Sequence, residues 1–236
     1  MLRLRRFYIY HFVCFRHNLT IPPGLSPLYR NFTSNKYRLA TLDRLQKIKS
    51  AVNSVIPNSR EDWKLIADCI SVKVITKNNF LLEEGQICDF IAFVNQGEMI
   101  YFKPLENGND VTTDFAFSGD WVTNNHSRIN QSPSHLSIKA IEKTELCIIR
   151  QSDINMLYRE IPLLERFGRV LIEQAYVRQV QLSIDLQTLS ATERYQKLLK
   201  EHPDILQKIP LYHIANYLGI APKSLSRIRN SMFGKG

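Results

Sequence analysis

The chain has 236 residues, 44% hydrophobic and 22% charged, with a formal net charge of +9. That balance belongs to a globular chain with a real core and excludes the disordered, collagen-like and disulfide-scaffold classes. The charge is unevenly placed: residues 1 to 40 carry seven Lys/Arg and no acid, Ile205 to Gly236 carry five and no acid, and the stretch between is left at −3. A positive field gathered at the ends points to an acidic partner such as nucleic acid.

The four cysteines, Cys14, Cys69, Cys88 and Cys147, stand far apart with no C-x-x-C pair. Reduced thiols in a cytoplasmic protein, with no metal site and no cofactor, are the expectation. No run approaches the roughly 18 apolar residues of a membrane span, so no membrane partner is expected.

The N-terminal "MLRLRRFYIYHFVCFRH" has a basic start and a short apolar run, but His11 interrupts it and no small-residue cleavage site follows. Residues 1–41 therefore read as a basic extension outside the fold. "LDRLQKIKSAVN" and "NSREDWKLIADCI" predict two short helices, the second capped from Asn58 or Ser59 with Glu61 and Asp62 in its first turn. From Ser71 the period changes to seven short β-branched and aromatic runs separated by "EEG", "NQG", "ENGND" and "SGD". Such spacing predicts an antiparallel β-roll of the jelly-roll type over residues 42–161, followed by helices, in an α+β fold.

Helical spacing returns at Gln151, with Ser152 as a cap candidate for "DINMLYREI". Pro162 suits the first turn of a second helix running to Gln187, roughly 39 Å long at about 1.5 Å per residue. Leu163, Val170, Val177 and Ile184 recur every seven residues, and Phe167, Gln174 and Gln181 follow four residues after the first three. This is the pattern of a dimer seam with two polar positions, although a helix facing its own core would show the same stripe.

Residues 188–236 end in "IPLYHIANYLGIAPKSLSRIRN". Ile214, Leu218, Ile220, Leu225 and Ile228 form the inner face of two short helices, Ala215 allows close approach, and Gly219 sits at the sharp turn. Lys223, Ser224, Ser226, Arg227 and Asn230 are left outward, basic and free of carboxylates. The pattern predicts a helix-turn-helix that reads double-stranded DNA through the major groove. Arg227 is the candidate for a bidentate contact to guanine. Lys208, Tyr212 and Arg229 are phosphate or packing candidates.

A helical lead-in, a β-roll, a long seam helix and a terminal helix-turn-helix, in that order, resemble the Crp/Fnr family of bacterial transcription regulators. The resemblance spans Leu42 to Phe233 and is most specific in "FLLEEGQICDFIAFVNQGEMIYF" and "SATERYQKLLKEHP" with the helix-turn-helix after it. It implies a homodimer whose roll senses an effector and whose paired heads bind a pseudo-palindromic site, with RNA polymerase among the candidate partners.

In cyclic-nucleotide-binding members an acidic residue holds the ribose and an Arg-Ser pair holds the phosphate. Here Asp120 is placed at the acidic position, Ser134 and His135 stand where Arg and Ser would, and Arg128 is the nearby substitute. Without the arginine fork cAMP is not the expected effector. The family's β-hairpin wing is also expected to be absent, because "MFGKG" follows the second helix directly. A second reading stays open, in which the roll binds a ligand or a protein and the helix-turn-helix no longer contacts DNA.

Overall fold

The computed structural model describes residues 44–233, except 107 and 109. The basic extension read over residues 1–41 lies outside the described residues. The first helix, α1 (Gln46–Asn53), buries Ile48 and Val52. The second, α2 (Arg60–Asp68), opens as expected: Ser59 accepts from the Asp62 N–H while the Asp62 carboxylate accepts from the Ser59 N–H, a capping box.

Eight strands follow, β1 (Ser71–Ile75), β2 (Phe80–Leu82), β3 (Phe90–Gln96), β4 (Met99–Pro104), β5 (Asp110–Ala116), β6 (Trp121–Val122), β7 (Ser137–Ala140) and β8 (Thr144–Arg150). They form two four-stranded antiparallel sheets, ordered β1-β8-β3-β6 and β2-β7-β4-β5. The roll is the expected one. Sequence spacing does not resolve β6, which is two residues long, or the polar helix α3 (Asn125–Asn130) after it. Asn124 caps α3 by accepting from the Ser127 N–H.

Six helices follow the roll: α4 (Gln151–Glu160), α5 (Leu163–Thr188), α6 (Ala191–Glu201), α7 (Ile205–Lys208), α8 (Leu211–Tyr217) and α9 (Pro222–Phe233). The expected Ser152 cap is not used. Arg150 is the N-cap of α4 and makes no side-chain cap bond, because the helix starts directly out of β8 at Gln151. Ser190 and Glu193 form a second capping box at α6, separated from α5 only by Leu189 in extended backbone.

Three apolar clusters hold the chain together. The first joins α1, α2 and α4 to one face of β3 and β8 and takes in Leu164 and Phe167 of α5. The second fills the roll from Ile75 to Ile148. The third is shared: Ile100, Phe102, Phe115 and Ile141 of the roll pack with Tyr195, Ile209, Ile214, Ala215 and Leu225 of the terminal helices. Among the described residues, no helix is long and apolar enough to cross a membrane.

The seam residues of α5 divide between two environments. Phe167 is buried in the chain's own core, its ring edge-on to Trp121 at 5.4 Å. It is spent internally and is not free to face a second copy. Val170 is half-buried, while Leu163, Gln174, Val177, Gln181 and Ile184 are exposed. Further round the helix Ile172, Tyr176 and Val180 are exposed too. The free apolar stripe is therefore Ile172, Tyr176, Val177, Val180 and Ile184, rotated away from the side that carries Leu164 and Phe167.

The β3–β4 turn is the tightest point of the roll. Gly97 has φ +100°, and a Cβ there would stand 2.5 Å from Thr144 Oγ1 and 2.8 Å from Thr144 Cα. Both the backbone region and the space require glycine. Gly97→Ala is expected to destabilise the protein by about 2 kcal/mol or more, read as a shift of the urea midpoint at constant m.

Candidate nucleic-acid interface

The terminal pair α8 and α9 is built around a turn at Gly219, which has φ +69°. Ile220 N–H donates to Ala215 O at 3.0 Å, closing the turn, and Ala215 is fully buried. Leu218 and Leu225 fill the inner face. Pro222 starts α9, where its missing N–H costs nothing.

This geometry turns one face of α9 to solvent. Lys223, Ser226, Arg227 and Asn230 are exposed and lie three and four residues apart, on one side of the helix. Ser224 is half-buried at the edge of that face. Among the described residues, neither Lys223 nor Arg227 is in an ion pair. Arg229 is turned inward and half-buried, close enough to oppose the burial-driven rise in the Tyr195 pKa. Tyr212 is exposed at the start of α8.

Polar contacts that the sequence did not suggest tie α8 to β5. Thr112 Oγ1 and His213 Nδ1 lie 2.7 Å apart, both side chains buried. Asn216 Nδ2 donates to Asp110 O at 2.8 Å, and the Phe115 and Tyr217 rings meet at 4.9 Å. Lys208, just before α8, pairs with buried Glu98 at 3.5 Å. Burial and the neighbouring Glu142 push the Glu98 carboxyl up to about 7 against the pull of Lys208. Only the tertiary fold brings these residues together, since they lie about a hundred positions apart.

The four effector-pocket candidates do not converge. Ser134 Oγ donates to Leu136 O at 2.6 Å and accepts from Asn124 Nδ2 at 2.7 Å, buried within the chain. Arg128 is buried, its guanidinium donating to Gln151 Oε1 and Asn125 Oδ1 at 2.6 and 2.8 Å, and burial lowers its pKa. His135 is exposed with its ring edge-on to His126 at 5.1 Å. Asp120 accepts from the Phe117 N–H at 2.8 Å, close to the end of β5. The buried polar residue at the start of α3 is Asn124, and its amide rather than Asp120 reaches Ser134.

The family model of the cyclic nucleotide-binding domain matches residues 72–160. Among solved structures, FixK2 from Bradyrhizobium japonicum has a TM-score of 0.62 at 19% identity, over 71% of this chain and 86% of its own. A protein from Eubacterium rectale assigned to the Crp/Fnr family of transcriptional regulators has a TM-score of 0.59 at 19% identity, over 76% and 85%. A CooA double mutant from Carboxydothermus hydrogenoformans gives 0.58 at 15%, over 78% and 84%. No curated protein matches the chain in sequence.

Residues 72–160 are thus similar to the cyclic nucleotide-binding domain, over less than half of the chain. The chain as a whole shares its fold with these structures, a Crp/Fnr-family regulator among them, as the order of its elements led us to expect.

The buried His213 gives the roll contact a pH signature. Burial, reinforced by Lys139, pulls its imidazole down to about 4. In the unfolded chain it titrates near 6.5, so between about 6.5 and 4 the unfolded state binds the extra proton. This contribution is whole above about 6.5 and is lost as pH falls through that window, up to about 3 kcal/mol. Glu98, raised instead of lowered, works in the opposite sense between about 7 and 4.5. The His213 part is isolated by difference: His213→Gln is expected to flatten the fall in urea stability from pH 7 to 5 relative to the parent chain.

Proposed function

We propose that this protein is a homodimeric DNA-binding transcription regulator. The observation that carries the reading is the α9 face, where Lys223, Ser226, Arg227 and Asn230 stand exposed with no carboxylate among them. A helix presented this way by a tight turn fits the major groove, with its partner helix against the backbone. Arg227 supplies the fork that matches guanine O6 and N7. Lys223 and Ser224 meet phosphate or base edges near the helix start, and Tyr212 adds a phosphate contact from α8.

The exposed apolar stripe of α5 supports dimerisation. Val177, Val180 and Ile184 have the three-and-four spacing of a two-helix seam, and Tyr176 and Ile172 extend it. Two copies joined there present two α9 helices to half-sites one turn of DNA apart, roughly 34 Å.

The roll's effector in this reading is not cAMP. No Arg-Ser pair stands at the phosphate position, and the hydroxyl of Ser134 is already committed on both sides. Arg128 is held by two amide side chains.

Binding to promoter fragments titrated with salt is expected to give a negative slope of log K on log salt, about 0.9 per phosphate contact. A flat slope defeats the reading. Arg227→Ala is expected to cost about 1–3 kcal/mol on a specific site and almost nothing on random DNA. Equal loss on both would make Arg227 a phosphate contact. Ile184→Glu is expected to shift sedimentation from dimer to monomer while leaving the far-UV circular dichroism unchanged. A variant still dimeric would place the interface elsewhere.

A further inference from the structure

A cavity of about 590 Å³ lies where the end of β5, the C-terminal half of α5, α6 and Tyr217 of α8 meet. None of Arg128, Ser134 or His135 lines it. Of the four effector-pocket candidates only Asp120 lines it, so the cavity lies apart from the Ser134 and His135 positions expected to face a cyclic phosphate.

One wall is aromatic and continuous. Phe115 meets Tyr217 at 4.9 Å and Phe117 at 6.3 Å, and Phe117 meets the His202 ring at 4.7 Å. The charged lining is mostly neutralised in place. Lys197 is paired with Asp185, and Glu173 with Arg169 at 2.7 Å. The Arg194 guanidinium donates to Leu189 O and Leu218 O at 2.5 and 2.9 Å.

The least neutralised charges are those of Asp114, Asp120 and Arg178, where Asp114 accepts from the Phe115 N–H at 2.9 Å and Asp120 from the Phe117 N–H at 2.8 Å. The Asp114 side chain is 23% exposed and the Arg178 side chain 61%, and they meet at 3.6 Å. A guanidinium that wet is a weak partner for a carboxylate this dry. Burial raises the Asp114 pKa, with Arg178 only opposing it. Two carboxylates face one loosely held cation, so the field at this end of the cavity is negative.

We propose that this cavity is a binding site for a small organic cation. Its ammonium or guanidinium group takes the place of Arg178 at Asp114, and its body lies along Phe115, Phe117 and Tyr217. A carboxylate at the foot of an aromatic wall is the chemistry that selects such ligands, through the ion pair and the quadrupoles of the rings. An anion of nucleotide type would meet Asp114 and Asp120 first and be repelled. The ligand would touch the roll, α5, α6 and α8 at once, beside the break at Leu189, so that it bears on the angle between roll and DNA-binding helices.

The test is calorimetric titration of the full chain, without DNA, with choline, agmatine and tyramine as probes and cAMP and inorganic phosphate as anionic controls. At least one amine is expected to bind, and Asp114→Asn, which keeps an acceptor for the Phe115 N–H, is expected to weaken it by about tenfold or more. Arg178→Ala is expected to act in the opposite direction, tightening the amine by about threefold or more, because it removes the competing cation from an exposed position where folding is not at stake. A purely structural Asp114–Arg178 pair gives no such gain. The proposal is overturned if no amine binds, if Arg178→Ala leaves amine binding unchanged or weaker, or if the anions bind and lose affinity in Arg178→Ala. Because no DNA is present, a failure of the DNA-binding reading leaves these outcomes as they are.

Discussion

The third apolar cluster depends on one polar contact. His213 and Thr112 are buried where the roll meets α8, and each alone would leave a hydrogen-bonding group stranded in an apolar setting, at about 1–3 kcal/mol. Bonded to each other they let the cluster run unbroken from Ile100 and Phe115 to Ile214 and Leu225. That continuity fixes α8 on β5. Once α8 is fixed, the Gly219 turn and the buried Ala215 fix the start of α9, and only then does the α9 face point outward as a unit.

The same docking explains why the basic face stays free. The roll offers acids on the side that the terminal helices approach, and each has a nearer partner: Glu98 takes Lys208, Asp110 takes Lys139 and Asp114 takes Arg178. Lys223 and Arg227 are turned away from all of them. A face left positive by the chain's own pairing presents its charge to solvent, which is the condition for the proposed attraction of a polyanion through counterion release. The net charge of +9 would not by itself give this result, because charge spread evenly or matched across the fold exerts little local field.

Period and turn chemistry were enough to read the roll, the long helix and the terminal pair, because each buries one face and repeats at its own spacing. β6 and α3 escaped because two residues cannot show a period, and "NHSRIN" is polar throughout. The Ser152 cap failed because the strand runs straight into the helix, so the first helical residue arrives before Ser152. The outward residues of α9 were legible for the same reason as the core: they are what remains when the inner face is assigned. The contacts of His213, Asn216 and Lys208 were not, since they join positions about a hundred residues apart and no local pattern records such a pairing. Phe167 shows the limit most clearly. A heptad stripe says which residues share a side of a helix, not what that side meets, and Phe167 meets Trp121 of its own chain.

The long helix has two unlike sides. One side, with Leu164 and Phe167 at its start and Leu182 and Asp185 toward its end, belongs to the roll and the cavity. The other, with Ile172, Tyr176, Val180 and Ile184, is apolar and exposed, and Val177 stands between the two because it also lines the cavity. Val177 and Arg178 both line the cavity, so the cavity borders the apolar stripe along one edge of the helix. Packed helices move as rigid bodies rather than bending residue by residue. A displacement at Arg178 must therefore appear at the seam and at the Leu189 break together. Were two copies to pair along the stripe as proposed, the partner's helix would resist that motion, and a ligand that favours one setting of α5 would bias both copies and so the spacing of the two α9 faces.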